Sequence, residues 1–352
     1  MIFCHSRRVF SNSTKWMRCL QRTKVTFQNM NHFGSLKYAC PKIPVVVQCI
    51  NPHDVPNGDM AFIKMVDNKD GHEILDLELG KYAKAEYCNQ QNLLSVSQNL
   101  DVISDDRDFS IHIEIPHNYD IEIESEQVSV KETEGKMLKI KSTGNCTLGK
   151  IKSGTVDIDV AGDLECKSLL GNGLFILGGE AKFGKIQAKN LSIDNQNGSI
   201  DIKSCYCPQM KCTSFAGSII IGDMHGSSDL NTQSGNISIS TLAGSSNITT
   251  QQGDINVTVE SCKHIFMESD QGNISIGLGD SLAAFLDAVG AYIDVPQDLL
   301  VDGMKREEST GIQYFEGKLG DSAENCINAK TLHGTVDFSR KNWFSKFNLD
   351  LD

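Results

Sequence analysis

No stretch of this chain approaches 18 consecutive apolar residues, so no segment has the length of a membrane-spanning helix. The short apolar core of a secretory signal is missing too. G-x-S-x-G, the P-loop and the dinucleotide fingerprint are all absent. The glycine-rich run GNGLFILGG (Gly171 to Gly179) lacks the Lys-Ser/Thr that a phosphate cradle needs. Charge is scarce, at 22% of residues, and its balance is acidic, with a formal net of -12. That balance disfavours non-specific binding to nucleic acid or to an anionic membrane, both of which call for a basic surface.

Acid is wholly absent from residues 1–53, which hold eight Lys/Arg; the remainder carries 25 basic against 45 acidic residues. A basic, acid-free opening with Phe3, Val9, Phe10, Trp16, Met17 and Leu20 reads as a mitochondrial targeting leader or a disordered basic tail. The expected compartment is the mitochondrion, matrix side, with the cytoplasm as the alternative. A chain of 352 residues has no need of disulfide staples, so the twelve cysteines are expected to be small buried hydrophobes or free thiols. The sequons at Asn236, Asn256 and Asn273 fall out of the repeat and carry no meaning outside the secretory route.

What the chain does contain is a beat. Gly154, Gly173, Gly198, Gly217, Gly235, Gly253 and Gly272 each open a run in which aliphatic and polar residues alternate, at intervals of 18 to 19 residues with one of 25. A period of this length is a solenoid signature. Secondary runs such as Leu191-Ser192-Ile193 and Asn247-Ile248-Thr249 fall between, so a short strand begins every nine or ten residues. The strands are too short and too rich in glycine and β-branched residues for helix. A hexapeptide beat fits less well, because from Ile237 the aliphatics fall at 239, 242, 248 and 257.

The expected fold is all-β, a single β-solenoid with two short strands per 18–19 residue turn and capped ends. Eight to ten turns would make a rod of about 40–50 Å, with one coil every 4.8 Å. The solenoid is expected over 60–340, with lead-in strands at 60–120 and an interruption at 281–310. FSIHIEIP (Phe109 to Pro116) reads as a strand stopped by its proline, and Ile74 to Leu79 as another strand. Ser281 to Val289 has Leu282, Phe285, Leu286 and Val289 at helical spacing, which predicts a short helix capped by Ser281. GIQYFEG and HGTVDFSR read as final turns. Trp343, Phe344 and Phe347, within 341–352, read as an aromatic cap over an open end.

The Gly-Asn/Asp-Ile-x-Ile pattern with its half-repeat, preceded by FSIHIEIP, YDIEIES and QVSVKE, resembles the adhesin-like repeat family DUF4097 over roughly residues 60–340. The resemblance implies a β-solenoid and supplies no catalytic residue. The chain departs from simple bacterial members in its basic leader, its cysteine cluster and its 281–310 interruption.

Three features could carry chemistry. Cys205, Cys207 and Cys212 in SCYCPQMKC are candidate zinc or copper ligands, although C-x-C-x4-C is not a standard zinc spacing and buried structural thiols have the same pattern. Asp157 and Asp159 share one face, and Asp201 holds a similar place two turns on, as stacked carboxylates would in a carbohydrate-active β-helix enzyme. His225, between two glycines in GDMHGSS, reads as an isolated surface histidine at a corner, and His264 and His333 have no partners at motif spacing. The function expected is therefore non-catalytic, a binding or scaffold protein with a protein partner, no nucleic acid and no membrane span, monomeric or weakly self-associating. The alternatives are a metal- or thiol-dependent protein and a glycan-active enzyme.

Overall fold

The computed structural model describes residues 24–50, 58–74, 76–99, 108–297, 299, 301–309, 311–320 and 324–341. Alternation of aliphatic and polar residues makes Ile219–Ser234 a strand with Ile219, Ile221, Met224, Leu230 and Thr232 turned inward. At Gly222 and Asp223 two successive residues face outward, and this slip in the alternation bends the strand. A second corner follows at Gly226, after which the strand enters the opposite wall. Ile237–Gln252 and Ile255–Gln271 repeat the same path. Each coil thus serves two parallel sheets, and the two short strands expected per turn are the two halves of one bent strand.

Register runs coil to coil. Ile200, Ile219, Ile237, Ile255 and Ile274 lie side by side in the first sheet, all fully buried. Each contributes about 1.5–3 kcal/mol by leaving water. Among the described residues, each sheet contains thirteen parallel strands, so at about 4.8 Å per strand the parallel stack spans about 58 Å.

The rod is longer than the repeat predicts because both ends borrow coils from distant sequence. Phe33–Cys40 and Val45–Cys49 insert between neighbouring coils, with Leu36 beside both Leu94 and Ile121, and Val45 beside both Ile111 and Val128. The expected leader boundary at 53, and a fold beginning near 60, are therefore corrected: residues 24–50 belong to the folded body, while 1–23 and 51–53 of the leader lie outside the described residues. At the other end Cys326–Thr331 and Thr335–Lys341 insert between the coil of Ile265 and Ile274 and the coil of Leu286 and Ile293.

Antiparallel strands close both ends. Ala61–Asp67 lies on Phe109–Ile115, and Ala83–Cys88 on Leu93–Gln98. Ile312–Leu319 lies between Ala284–Gly290 and Val301–Ser309. GIQYFEG is thus a closing strand, while HGTVDFSR is a coil as expected. The helix expected at Ser281 to Val289 is a strand, Ala284–Gly290, with Ala284, Leu286 and Ala288 buried between two pairing partners. Ladder bonds on both sides outweigh a weak helical spacing. Conversely, the strand expected at Ile74 to Leu79 ends at Ile74, and Asp76–Tyr82 is a helix that buries Leu79 and Tyr82, one turn apart. The aromatic cap of Trp343, Phe344 and Phe347 lies outside the described residues.

The turn from second sheet to first is held by two polar ladders. A Cβ on Gly253 would stand 2.1 Å from the carbonyl oxygen of Gly235, so the turns stack glycine on glycine. Thr232, Thr250, Ser269 and Thr331 donate to the carbonyls of Gly217, Gly235, Gly253 and Gly272 at 2.8–3.1 Å. Outside them, Asn236 Oδ1 accepts from the Asp254 amide, Asp254 Oδ1 from the Asn273 amide, and Asn273 Oδ1 from the Thr335 amide.

Candidate functional site

Strand alternation turns Cys205 and Cys207 inward on either side of Tyr206 and turns Cys212 inward from the second sheet, all three with 1% exposure or less. Cys205 Sγ lies 3.7 Å from Met210 Sδ, and Cys207 Sγ lies 3.1 Å from the carbonyl oxygen of Gln209. Among the described residues no three His, Cys, Asp or Glu side chains gather in a metal-holding arrangement. The Cys205 thiol hydrogen-bonds to Cys207 and, with backbone amides at Gln209 and Leu191, holds Cys207 down at about 7. The same bond and burial push Cys205 far up. Burial also drives up Cys212, and takes Cys166 to about 12. All ten described cysteines are free, and eight of them have raised pKa values, six in the core and two, Cys49 and Cys326, half-buried.

The carboxylates do not stack. Asp157 and Asp159 share the outer face of the second sheet, but Lys139 and Lys141 precede them in register and Leu174 and Ile176 follow. Asp201 faces outward from the first sheet, beside Lys182 and Ile220, so it sits on a different wall from the pair. The face expected of a glycan-active β-helix enzyme is therefore divided between two walls.

His225 has a partner that motif spacing missed. Its ring stacks on Tyr206 at 4.7 Å with planes 2° apart, and Lys185 Nζ, from the coil before Tyr206, lies 5.8 Å from the centre of the tyrosine ring. The signal was the coil interval itself, since Tyr206 and His225 are register neighbours. His333 is exposed, and His264 borders a surface depression.

Concave surface lies along the edge where first sheet turns into second. A depression of about 590 Å³ is bordered by Lys136, Lys152, Ser153, Asn172, Gln187 and Lys189. A second, of about 380 Å³, lies farther along the same edge between Ser227, Ser245, Asn247, His264, Phe266 and Asn328. The corner there is tight: Gly226 and Gly244 have φ of 123° and 142°, and a Cβ on either would stand 2.0 Å from a neighbouring carbonyl oxygen. Small residues and exposed backbone make the edge a channel for extended contact. No helix of the described residues is long and apolar enough to cross a membrane.

The sequence model of a family described as Toastrack DUF4097 matches residues 86–339. A crystal structure described as a candidate cell adhesion protein from Clostridium sporogenes aligns at 12% identity, covering 90% of this chain and 99% of its own, with a TM-score of 0.19. A candidate adhesin from Bacteroides fragilis aligns at 12% identity, covering 90% and 97%, with a TM-score of 0.24. Superposition scores this low carry no argument about what the chain binds.

Proposed function

The chain belongs to the Toastrack DUF4097 family, and from its closed core and open edge we propose that it is a non-catalytic binding or scaffold protein that holds a protein partner lengthwise. The observation that carries this reading is the placement of both depressions on one edge, the larger lined by glycines, small polar residues and lysines, the smaller by serines, asparagines, His264 and Phe266. Solenoids use such quasi-linear surfaces for extended contact. An enzyme would instead bring acid, base and nucleophile together in one pocket; apart from His264 and Cys326, which share the smaller depression, the described thiols, carboxylates and histidines are dispersed over core, two walls and edge.

Site-specific photo-cross-linking in cells that express the protein tests it. A cross-linker at Asn172 or Ser245, on the edge, is expected to give discrete adducts. The same group at Ser238 or Asn256, on the outer wall of the first sheet, is expected to give none. Equal adducts at both pairs of positions, or none at the edge, would overturn the reading.

A further inference from the structure

Elsewhere on the surface, neighbouring coils alternate in sign. On the outer face of the second sheet Lys37, Glu122, Lys139 and Asp157 follow one another in register, with Lys37 paired to Glu122 at 3.5 Å, and Glu124, Lys141 and Asp159 form the parallel row. The pattern suits a stack of parallel strands, because like charges opposite one another repel.

The bend of the first sheet breaks that rule. Five consecutive coils each place a lysine there: Lys131, Lys150, Lys167, Lys185 and Lys203. Register puts Lys131, Gly149, Lys167, Gly184 and Lys203 in one row, and Glu132, Lys150, Ser168, Lys185, Ser204 and Asp223 in the row beside it. The lysines therefore zigzag along the rod, one per coil, each exposed. Lys152 and Lys182 are engaged by Glu134 and Glu180 at 3.5 and 3.7 Å, but Lys150, Lys167, Lys185 and Lys203 have no ion pair among the described residues. The larger depression begins one corner away, and brings Lys136, Lys152 and Lys189 beside the stripe.

We infer that this lysine stripe, with the adjoining depression, is a docking site for a short, extended acidic segment of a protein partner. The inference rests on the binding reading above and names the chemistry of what is bound.

Charge complementarity selects the class, and length selects the size. The stripe spans four coil intervals, about 19 Å, which matches about six residues of extended peptide. It is closed off by acid at both ends. Glu132 and Asp223 bound it locally. Residues 54–130 hold 5 Lys/Arg against 17 Asp/Glu, and residues 212–352 hold 8 against 19, while residues 131–211 hold 12 against 9. A membrane surface or a long nucleic acid laid on the stripe would run into those acidic flanks; a six-residue segment would not. Single-stranded nucleic acid is also stacked on aromatic faces, and the ring of Tyr206 is already engaged by His225 and by Lys185.

The test is fluorescence anisotropy of the full chain with a labelled twelve-residue glutamate peptide, in 50 mM and 300 mM salt. Binding is expected at low salt and should weaken at high salt. Lys150→Gln/Lys167→Gln/Lys185→Gln is expected to lower affinity about tenfold, and Lys139→Gln/Lys141→Gln, on the other wall, to leave it unchanged. No binding at low salt, an equal loss in the control, or tighter binding of phosphatidylserine vesicles, a single-stranded oligonucleotide or a sulfated hexasaccharide would overturn the inference. Edge cross-links at Asn172 that persist when the peptide fails to bind would remove the acidic ligand and leave the scaffold reading standing. Loss of both would remove the two together.

Discussion

At Thr232 one hydroxyl does what a backbone ladder cannot, donating to the Gly217 carbonyl at 3.1 Å where the chain leaves the second sheet. Thr232→Val deletes that donor within a fully buried site and is expected to destabilise by about 1–2 kcal/mol. Ser214 holds the equivalent place one coil earlier, but there Asn195 Nδ2 already donates to the Gly198 carbonyl, and Ser214 Oγ has no partner. Ser214→Ala is therefore expected to be neutral or mildly stabilising. Urea midpoints of the two variants check this, and the reverse order would refute the ladder account. Glycines divide in the same way. Gly253→Ala forces a Cβ against the Gly235 carbonyl and is expected to lower the midpoint. Gly80→Ala, in the helix Asp76–Tyr82 with nothing within 4 Å, should gain about 0.5–1 kcal/mol. Such ladders were hidden in the sequence because Gly-Asn and Gly-Asp suggested only local turns. Their bonds go to the next coil, 18 or 19 residues away.

Elements were legible where a strand's partner is one period away. From Cys146 to Gly279 the beat of aliphatics places nearly every inward side chain, because the neighbours of Ile237 are Ile219 and Ile255. At the ends the neighbours come from distant sequence, as Leu36 does beside Ile121 and Ile327 beside Ile265, and a period cannot report them. Val45 and Val47 turn inward around Val46 as in any other strand, yet three valines in a row show no alternation and the acid-free composition around them reads as a leader. Chain starts separate the two. A protein beginning at residue 24 retains the inserted coil and is expected to unfold at the same urea midpoint as the full chain. One beginning at residue 54 loses Leu36, Tyr38, Val45 and Val47 from the core. It also leaves the strands of Leu94 and Ile121 without their shared partner. It is expected to lose amide-exchange protection over 93–125. Equal protection in both proteins would return residues 24–50 to the status of a leader. The candidate site was legible only in part, for a related reason. The cysteines and aspartates stood out as residue types, whereas the lysine stripe exists only once register sets Lys150, Ser168 and Lys185 in line.

Over the whole molecule, free thiols fill a core that aliphatics could have filled, and this makes stability depend on alkali. Burial raises Cys40 to about 11 and Cys166 to about 12 from an ordinary 9.0 and carries Cys146 and Cys212 upward as well, while the bond to Cys207, with burial, carries Cys205 up. A raised thiol stays neutral in the folded state after its unfolded counterpart ionises. Its stabilisation is therefore complete below pH 9 and is lost as pH climbs from 9 through the folded value, at about 1.4 kcal/mol per thiol per pH unit. Cys207 runs the other way. Held down at about 7, it contributes stability above pH 9 that fades as pH falls through 7. Together these place the stability maximum near pH 9, with a gentle decline toward pH 7 and a steep alkaline limb. Urea unfolding under reductant at pH 7, 8, 9 and 10 would show it. The variant Cys146→Ala/Cys166→Ala is expected to start lower, because two buried side chains are trimmed, yet to lose about 2–3 kcal/mol less than the parent between pH 9 and 10. Parallel limbs for variant and parent would mean that these thiols ionise alike in both states. The core around Cys146 and Cys166 would then be open to water, and the account of a closed, thiol-lined interior would fall with it.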